Sequence, residues 1–184
     1  MQTRRLGPSD LHVSVVGLGC NNLGRPGTRT ETQEGATAVV LAALDAGVTF
    51  FDTADIYGSR YGLSEALLGE ALRGRRDEAV IATKFGHQDY ASPLADVGPR
   101  GGRAYIRAAV EGSLTRLQTD RIDLYQLHTP DPTTPIEETL EALDELVREG
   151  KVRAIGHSNL DGAAIRAADD AATALGTARF ASAQ

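Results

Sequence analysis

The chain has 184 residues, 41% of them hydrophobic, which is enough for one domain with a substantial core. Its 19 Lys and Arg against 25 Asp and Glu give a formal charge of −6, which argues against a surface for nucleic acid or anionic membrane. The single cysteine, Cys20, excludes an internal disulfide and a multi-thiolate metal site. Together with the lack of a signal-peptide or membrane-spanning run, it predicts a cytoplasmic protein without a metal.

The predicted elements begin with a β-hairpin, in which two short apolar segments flank the turn residues Gly7-Pro8-Ser9-Asp10. A rhythm of short apolar run, loop and amphipathic helix then follows, and it contains six strands: Val15–Cys20, Thr49–Ala54, Ala79–Phe85, Ile122–His128, Val152–Ser158 and Phe180–Gln184. The predicted helices are Thr32–Ala46, Ser64–Arg73, Arg103–Leu117, Pro135–Glu149 and Asp161–Leu175. Ser64 and Asp161 are typical helix-start residues, and Gly47 and Gly150 are typical stops.

Alternating strands and helices predict a parallel sheet with right-handed crossovers, as a single α/β domain over residues 1–184. Periodicity leaves two architectures open, a doubly wound sheet and a closed barrel. The glycine-rich stretch Gly17–Gly24 does not match a Rossmann fingerprint, because Asn22 stands where the third glycine is required and no helix opens there. A long loop between Gly86 and Gly102 is typical of a functional or mobile segment.

Four polar residues stand at or just after the carboxyl ends of three predicted strands: Asp52, Tyr57, Lys84 and His128. Taken one at a time, each of these residues also has an ordinary structural explanation: it could cap a loop, pack in the core or carry a charge exposed to solvent. Together they match carbonyl reduction, in which hydride delivery leaves an alkoxide that needs a proton. Tyr57 is the candidate acid, an adjacent Lys84 ammonium would strengthen it, and Asp52 would pair with that ammonium. His128 would orient the carbonyl oxygen.

The segments FDTADIYG, ATKFG, DLYQLHTPDP and IGHSN, in this order, resemble the signature segments of the aldo-keto reductase superfamily. The resemblance implies a (β/α)8 TIM barrel and reduction of an aldehyde or ketone by NADPH, with NADH possible. It also implies that Asp52, Tyr57, Lys84 and His128 form the catalytic tetrad. Three further residues match positions that bind the nicotinamide carboxamide: Ser158, Asn159 and Gln184.

The number of predicted strands departs from this family, because a barrel of this type needs eight strand-helix units and about 250 residues. We therefore expect an incomplete barrel truncated after the sixth strand, with weak or no NADPH binding and no measurable reductase activity by this chain alone. A barrel that acts through a partner without catalysis, and an inactive fragment, remain as alternatives. Three other residues are interpreted as structural, Cys20 as a buried thiol and Asp55 and Glu65 as local hydrogen-bond partners. His87 and Tyr90 are interpreted as ordinary residues of the long loop, with contact to the substrate as the alternative.

Overall fold

The computed structural model describes all residues, Met1–Gln184. The predicted hairpin is present, with β1 (Thr3–Arg5) antiparallel to β2 (His12–Ser14). The remaining strands are β3 (Gly17–Gly19), β4 (Phe50–Asp52), β5 (Val80–Phe85), β6 (Ile122–Leu127) and β7 (Val152–His157). The helices are α1 (Gln33–Asp45), α2 (Leu63–Ala71), α3 (Arg103–Leu117), α4 (Ile136–Arg148) and α5 (Gly162–Leu175). Two 3-10 turns, Arg76–Glu78 and Ala95–Val97, lie in the connections.

The strands β3 to β7 form one five-stranded parallel sheet in sequential order. Consecutive helices pack side by side against one face of it, where the main apolar core lies. A doubly wound sheet carries helices on both faces, so that alternative is wrong for this chain. Strands β5 and β6 are buried on both faces along almost their whole length, and they include buried polar residues such as Lys84, Asp123 and Gln126.

The N-terminal hairpin covers the other face of the sheet at the amino ends of the strands. Its Leu11 is 2% exposed and packs against Ala82, Leu124 and Ala154, which belong to three neighbouring strands. The hairpin thus fills the apolar end of that face. The polar residues of the same face lie toward the carboxyl ends of the strands, where the connecting loops meet and where parallel α/β proteins place their sites.

The predicted sixth strand, Phe180–Gln184, is not formed as a regular strand. The segment lies beside β7 and is hydrogen-bonded to it, but only one regular parallel bridge forms, between His157 and Ala183. The carbonyls of Ile155 and His157 are two residues apart in β7, whereas the amides that donate to them, Ala181 and Gln184, are three residues apart. One residue is therefore extra in the terminal segment, as in a β-bulge, and the ladder is interrupted.

The five predicted helices are present, and the structure corrects one of their predicted ends. Helix α2 begins at Leu63 after a left-handed Gly62, so Ser64 does not cap it. Ser64 is buried instead and donates its hydroxyl to the Cys20 carbonyl at 2.7 Å. Asp161 caps α5 as predicted, accepting from two backbone amides of the first turn. None of the helices combines the length and the apolar character that crossing a membrane requires.

Candidate active site

The centre of the site is a buried ion pair between adjacent strands. Lys84 of β5 is 1% exposed, and its Nζ donates to both carboxylate oxygens of Asp52 at 2.8 Å. The same nitrogen donates to the Thr53 carbonyl at 3.0 Å. A buried ammonium is costly unless it is paired and hydrogen-bonded. Asp52 and the Thr53 carbonyl, both at the end of β4, meet that requirement.

Tyr57 lies in the loop between β4 and α2, close to the ion pair. Its hydroxyl oxygen accepts from Lys84 Nζ at 3.4 Å. An ammonium has three hydrogens, and Asp52, Thr53 and Tyr57 provide an acceptor for each of them. The Tyr57 hydroxyl hydrogen itself has no acceptor in the protein. It is therefore free to be donated to a ligand above the ammonium.

Glycine follows Tyr57 for a steric reason. Gly58 has a φ of +102°, and a Cβ at this position would lie 2.8 Å from the Leu63 Cβ. Any side chain here would strain the backbone and displace the loop. The turn that presents Tyr57 thus depends on Gly58.

His128 follows β6 and is 6% exposed. Its ring lies edge-on to the Tyr57 ring, with centroids 5.9 Å apart at 84°. Burial, followed by the charges of Lys84 and His87, lowers the pKa of His128 from 6.5 to about 3. The imidazole is therefore neutral at ordinary pH and carries one N–H donor and one acceptor nitrogen. Its Nδ1 is buried without a hydrogen-bond partner.

The four predicted tetrad residues thus converge at one edge of the sheet, although they come from the ends of three different strands, β4, β5 and β6, and the loop after β4. The family model described as "Aldo/keto reductase family" matches residues 15–183. The chain belongs to the aldo/keto reductase family.

Two curated relatives from Bacillus subtilis (strain 168) are similar to this aldo/keto reductase. The "Uncharacterized oxidoreductase YqkF" is 42% identical over 165 residues, covering 87% of this chain and 49% of the relative. The "Aldo-keto reductase YhdN" is 41% identical over 161 residues, covering 86% of this chain and 47% of the relative. The chain therefore spans about half the length of the curated relatives it matches.

A solved structure is similar over the whole of this chain. It is the "aldo-keto reductase AKR11C1 from Bacillus halodurans (holo form)", which matches with a TM-score of 0.81 and 39% sequence identity. The match covers 100% of this chain and 56% of the solved chain. The sheet and helix layer described above are thus those of an aldo/keto reductase.

The three residues matched to carboxamide binding, Ser158, Asn159 and Gln184, also lie at this edge of the aldo/keto reductase sheet. Asn159 has a left-handed φ of +61°, and its Nδ2 donates to the His128 carbonyl at 2.9 Å and to the Ser158 Oγ at 3.0 Å. Gln184 donates through Nε2 to Asp52 Oδ2 at 3.3 Å, and its carbonyl accepts from the Asn159 amide at 3.0 Å. These residues are therefore linked to Asp52 and His128 by direct hydrogen bonds.

The hydrogen-bonding groups that these residues leave free fit a primary carboxamide. Asn159 Oδ1 and Gln184 Oε1 accept no hydrogen bond within the protein, and the Ser158 hydroxyl donates none. A carboxamide has an NH₂ group that can donate to the two free oxygens and a carbonyl that can accept from Ser158. Helix α5 is capped by Asp161, so helix capping does not account for Ser158 or Asn159.

Two contacts in the site carry no clear sequence signal. The Thr53 carbonyl accepts from Lys84, and a backbone acceptor leaves no trace in side-chain identity. His87 lies with its ring perpendicular to His128, at a centroid distance of 4.7 Å. Its position directly after β5 and Gly86 is the only signal that could have indicated it. The Cys20 thiol is fully buried, and burial raises its pKa, which agrees with the structural interpretation.

Proposed function

We propose that this chain carries the catalytic tetrad of a carbonyl reductase that converts an aldehyde or ketone to an alcohol with NADPH, or alternatively NADH. The observation that carries the proposal is the Lys84 ammonium, whose three hydrogens are accepted by Asp52, Thr53 and Tyr57. This arrangement leaves the phenol proton of Tyr57 free for a substrate. The one-sided helix layer further supports our view that the sheet is part of an eight-stranded (β/α)8 barrel.

In this mechanism Tyr57 donates its proton to the carbonyl oxygen of the substrate as negative charge develops on that oxygen. The Lys84 ammonium, 3.4 Å from the phenol oxygen, stabilises the negative charge that the proton leaves behind. Asp52 keeps the ammonium in place. Neutral His128 donates a hydrogen bond to the same carbonyl oxygen and fixes its direction. Water then returns a proton to Tyr57 after the alcohol leaves.

Ser158, Asn159 and Gln184 would hold the nicotinamide through its carboxamide, using the free donor and acceptors described above. Bound there, the reduced nicotinamide would supply the hydride that the protein cannot supply itself. Asn159 also donates to the His128 carbonyl at 2.9 Å. The same residue would thus set the nicotinamide and the carbonyl-orienting histidine relative to each other.

The test compares the unaltered protein with Tyr57→Phe, both in a full-length version, using NADPH and a nitrobenzaldehyde and following the loss of the reduced-nicotinamide absorbance. We expect the variant to lose turnover by about 100-fold or more, the range for a general acid, with nucleotide affinity nearly unchanged. Tyr125→Phe is the matched control, because the buried Tyr125 hydroxyl has no hydrogen-bond partner. Near-normal turnover by Tyr57→Phe would remove Tyr57 from the mechanism. Nucleotide binding without turnover by the unaltered protein would favour a regulatory, partner-binding barrel.

A further inference from the structure

A second cluster of polar and charged side chains lies on the helix-facing side of the sheet, directly behind the candidate active site. We refer to it as the rear network, and its members are Asp55, Tyr61, Glu65, Thr83 and Arg116. Asp55, Glu65 and Thr83 are each 0% exposed. None of the five takes part in the chemistry proposed above. They are also more than the local hydrogen-bond partners that the sequence indicates for Asp55 and Glu65.

Asp55 closes the loop that carries Tyr57. Its carbonyl accepts from the Gly62 amide at 2.6 Å, and its Oδ2 accepts from the Tyr61 hydroxyl at 2.9 Å. The Asp55 amide donates to the Lys84 carbonyl at 3.1 Å. Asp55 is thus hydrogen-bonded to Lys84, which contacts Tyr57, and also to Tyr61 and Gly62, which lie at the far end of the Tyr57 loop.

The rest of the network joins this loop to β5. Glu65 accepts from the Thr83 hydroxyl at 2.6 Å and from Arg116 Nε at 2.7 Å. The Arg116 guanidinium lies 5.0 Å from the centroid of the Tyr61 ring, in cation–π geometry. Thr83 directly precedes Lys84 in β5. An unbroken path of contacts therefore runs from the strand of Lys84 to the loop of Tyr57.

The rear network buries more acidic groups than it has basic groups to pair with them, and burying an unpaired charge is unfavourable. Two carboxyl groups, Asp55 and Glu65, face one guanidinium, with Arg100 more distant. Burial, followed by the Glu65 charge, raises the pKa of Asp55 from 3.8 to about 7, against the lowering effects of the Tyr61 hydrogen bond and of Arg116. The Asp55 Oδ1 is buried without a partner. Buried ionic groups often stabilise a fold no better than apolar residues of the same size, so the burial of these groups is weak evidence for a purely stabilising role.

We propose that Asp55 and Tyr61 are positioning residues for Tyr57, because their hydrogen bond closes the Tyr57 loop and holds it in register with β5. Through this contact the phenol oxygen stays within reach of the Lys84 ammonium. The proposal rests on the function proposed above for Tyr57. It assigns no contact with substrate or cofactor to the rear network.

The decisive variant is Tyr61→Phe, which removes one hydroxyl and keeps the ring beside Arg116. We expect kcat to fall about 10- to 100-fold, since a misplacement of about 1 Å can cost about 100-fold. The Michaelis constant for the nucleotide should stay constant, and the alkaline limb of the kcat pH profile should move to higher pH. Asp55→Asn keeps an acceptor for Tyr61 and should behave nearly as the unaltered protein, whereas Asp55→Leu should reproduce Tyr61→Phe.

Tyr125→Phe is again the control, because it removes a buried tyrosine hydroxyl without removing a hydrogen bond. A Tyr61→Phe protein with a lower melting temperature but an unchanged kcat and pH profile would show a merely structural contact and overturn the proposal. A crystal structure of Tyr61→Phe separates this outcome from a failure of the reductase function itself. A Tyr57 to Lys84 distance longer than the present 3.4 Å supports the positioning role even in an inactive protein, and an unchanged distance refutes it.

Discussion

Replacing Asp55 by Asn should make the protein more stable, by an amount that grows with pH. The pKa of Asp55 is raised from 3.8 to about 7 in the folded protein, mainly by burial and next by Glu65. For a raised pKa, the contribution to stability is complete below the unfolded value and is lost as pH rises through the folded value. The amide that replaces the carboxyl group does not ionise, so the Asp55→Asn variant should escape this loss.

The magnitude follows from the interval between the two pKa values. From 3.8 to about 7, at about 1.4 kcal/mol per pH unit, the ionisation of Asp55 costs on the order of 4 kcal/mol. The free energy of unfolding is measured for both proteins by urea denaturation at about pH 4 and about pH 8. The gain of the variant over the unaltered protein should be several kcal/mol larger at the higher pH. Titration of His128 is common to both proteins and cancels in the difference.

Asp131→Asn is the control of opposite sign. Partial burial opposes ionisation of Asp131, but hydrogen bonds from the Gly101 amide, Thr133 and Thr134 outweigh it and lower the pKa of the carboxyl. That variant should lose stability relative to the unaltered protein as pH rises. If Asp55→Asn shows the same difference at both pH values, Asp55 is not held in its protonated form, and the electrostatic account of the rear network is wrong.

Three further predictions concern the site and the one thiol. Lys84→Met should lower the free energy of unfolding by about 2 to 3 kcal/mol. Breaking a fully buried ion pair costs about 3 to 5 kcal/mol, and the loss should be smaller here because the Asp52 side chain is 16% exposed. Adding Asp52→Asn should restore part of this unfolding free energy in urea titrations but none of the activity. His128 should stay neutral in NMR titrations until well below pH 6.5, and its contribution to stability, complete above that pH, should decline as pH falls toward about 3. Cys20 is fully buried with a raised thiol pKa, so iodoacetamide should label it only in denaturant, and labelling of the native protein at an equal rate would contradict the packing.

Local signals in the sequence were sufficient for the repeating elements. Strand and helix types follow from apolar periodicity, and the ends marked by Gly47, Gly150 and Asp161 follow from backbone preference and capping. The end assigned to Ser64 was wrong because its hydroxyl finds a buried acceptor, the Cys20 carbonyl, 44 residues away. The strand predicted at Phe180–Gln184 pairs with β7 only irregularly, because an extra residue in the pairing cannot be recognised from composition.

The sequence by itself determined which residues stand at the carboxyl ends of the strands, because that depends only on the order of apolar runs and loops along the chain. The tertiary structure decided which of them touch and through which atoms. Three sets of contacts depend on the register between distant segments. They are the hydrogen bond from Lys84 to the Thr53 carbonyl, the hydrogen bond from Asn159 to the His128 carbonyl, and the contacts of the rear network from Thr83 to Asp55. Periodicity reports the face that a side chain occupies, and only the packed sheet specifies its partner on that face.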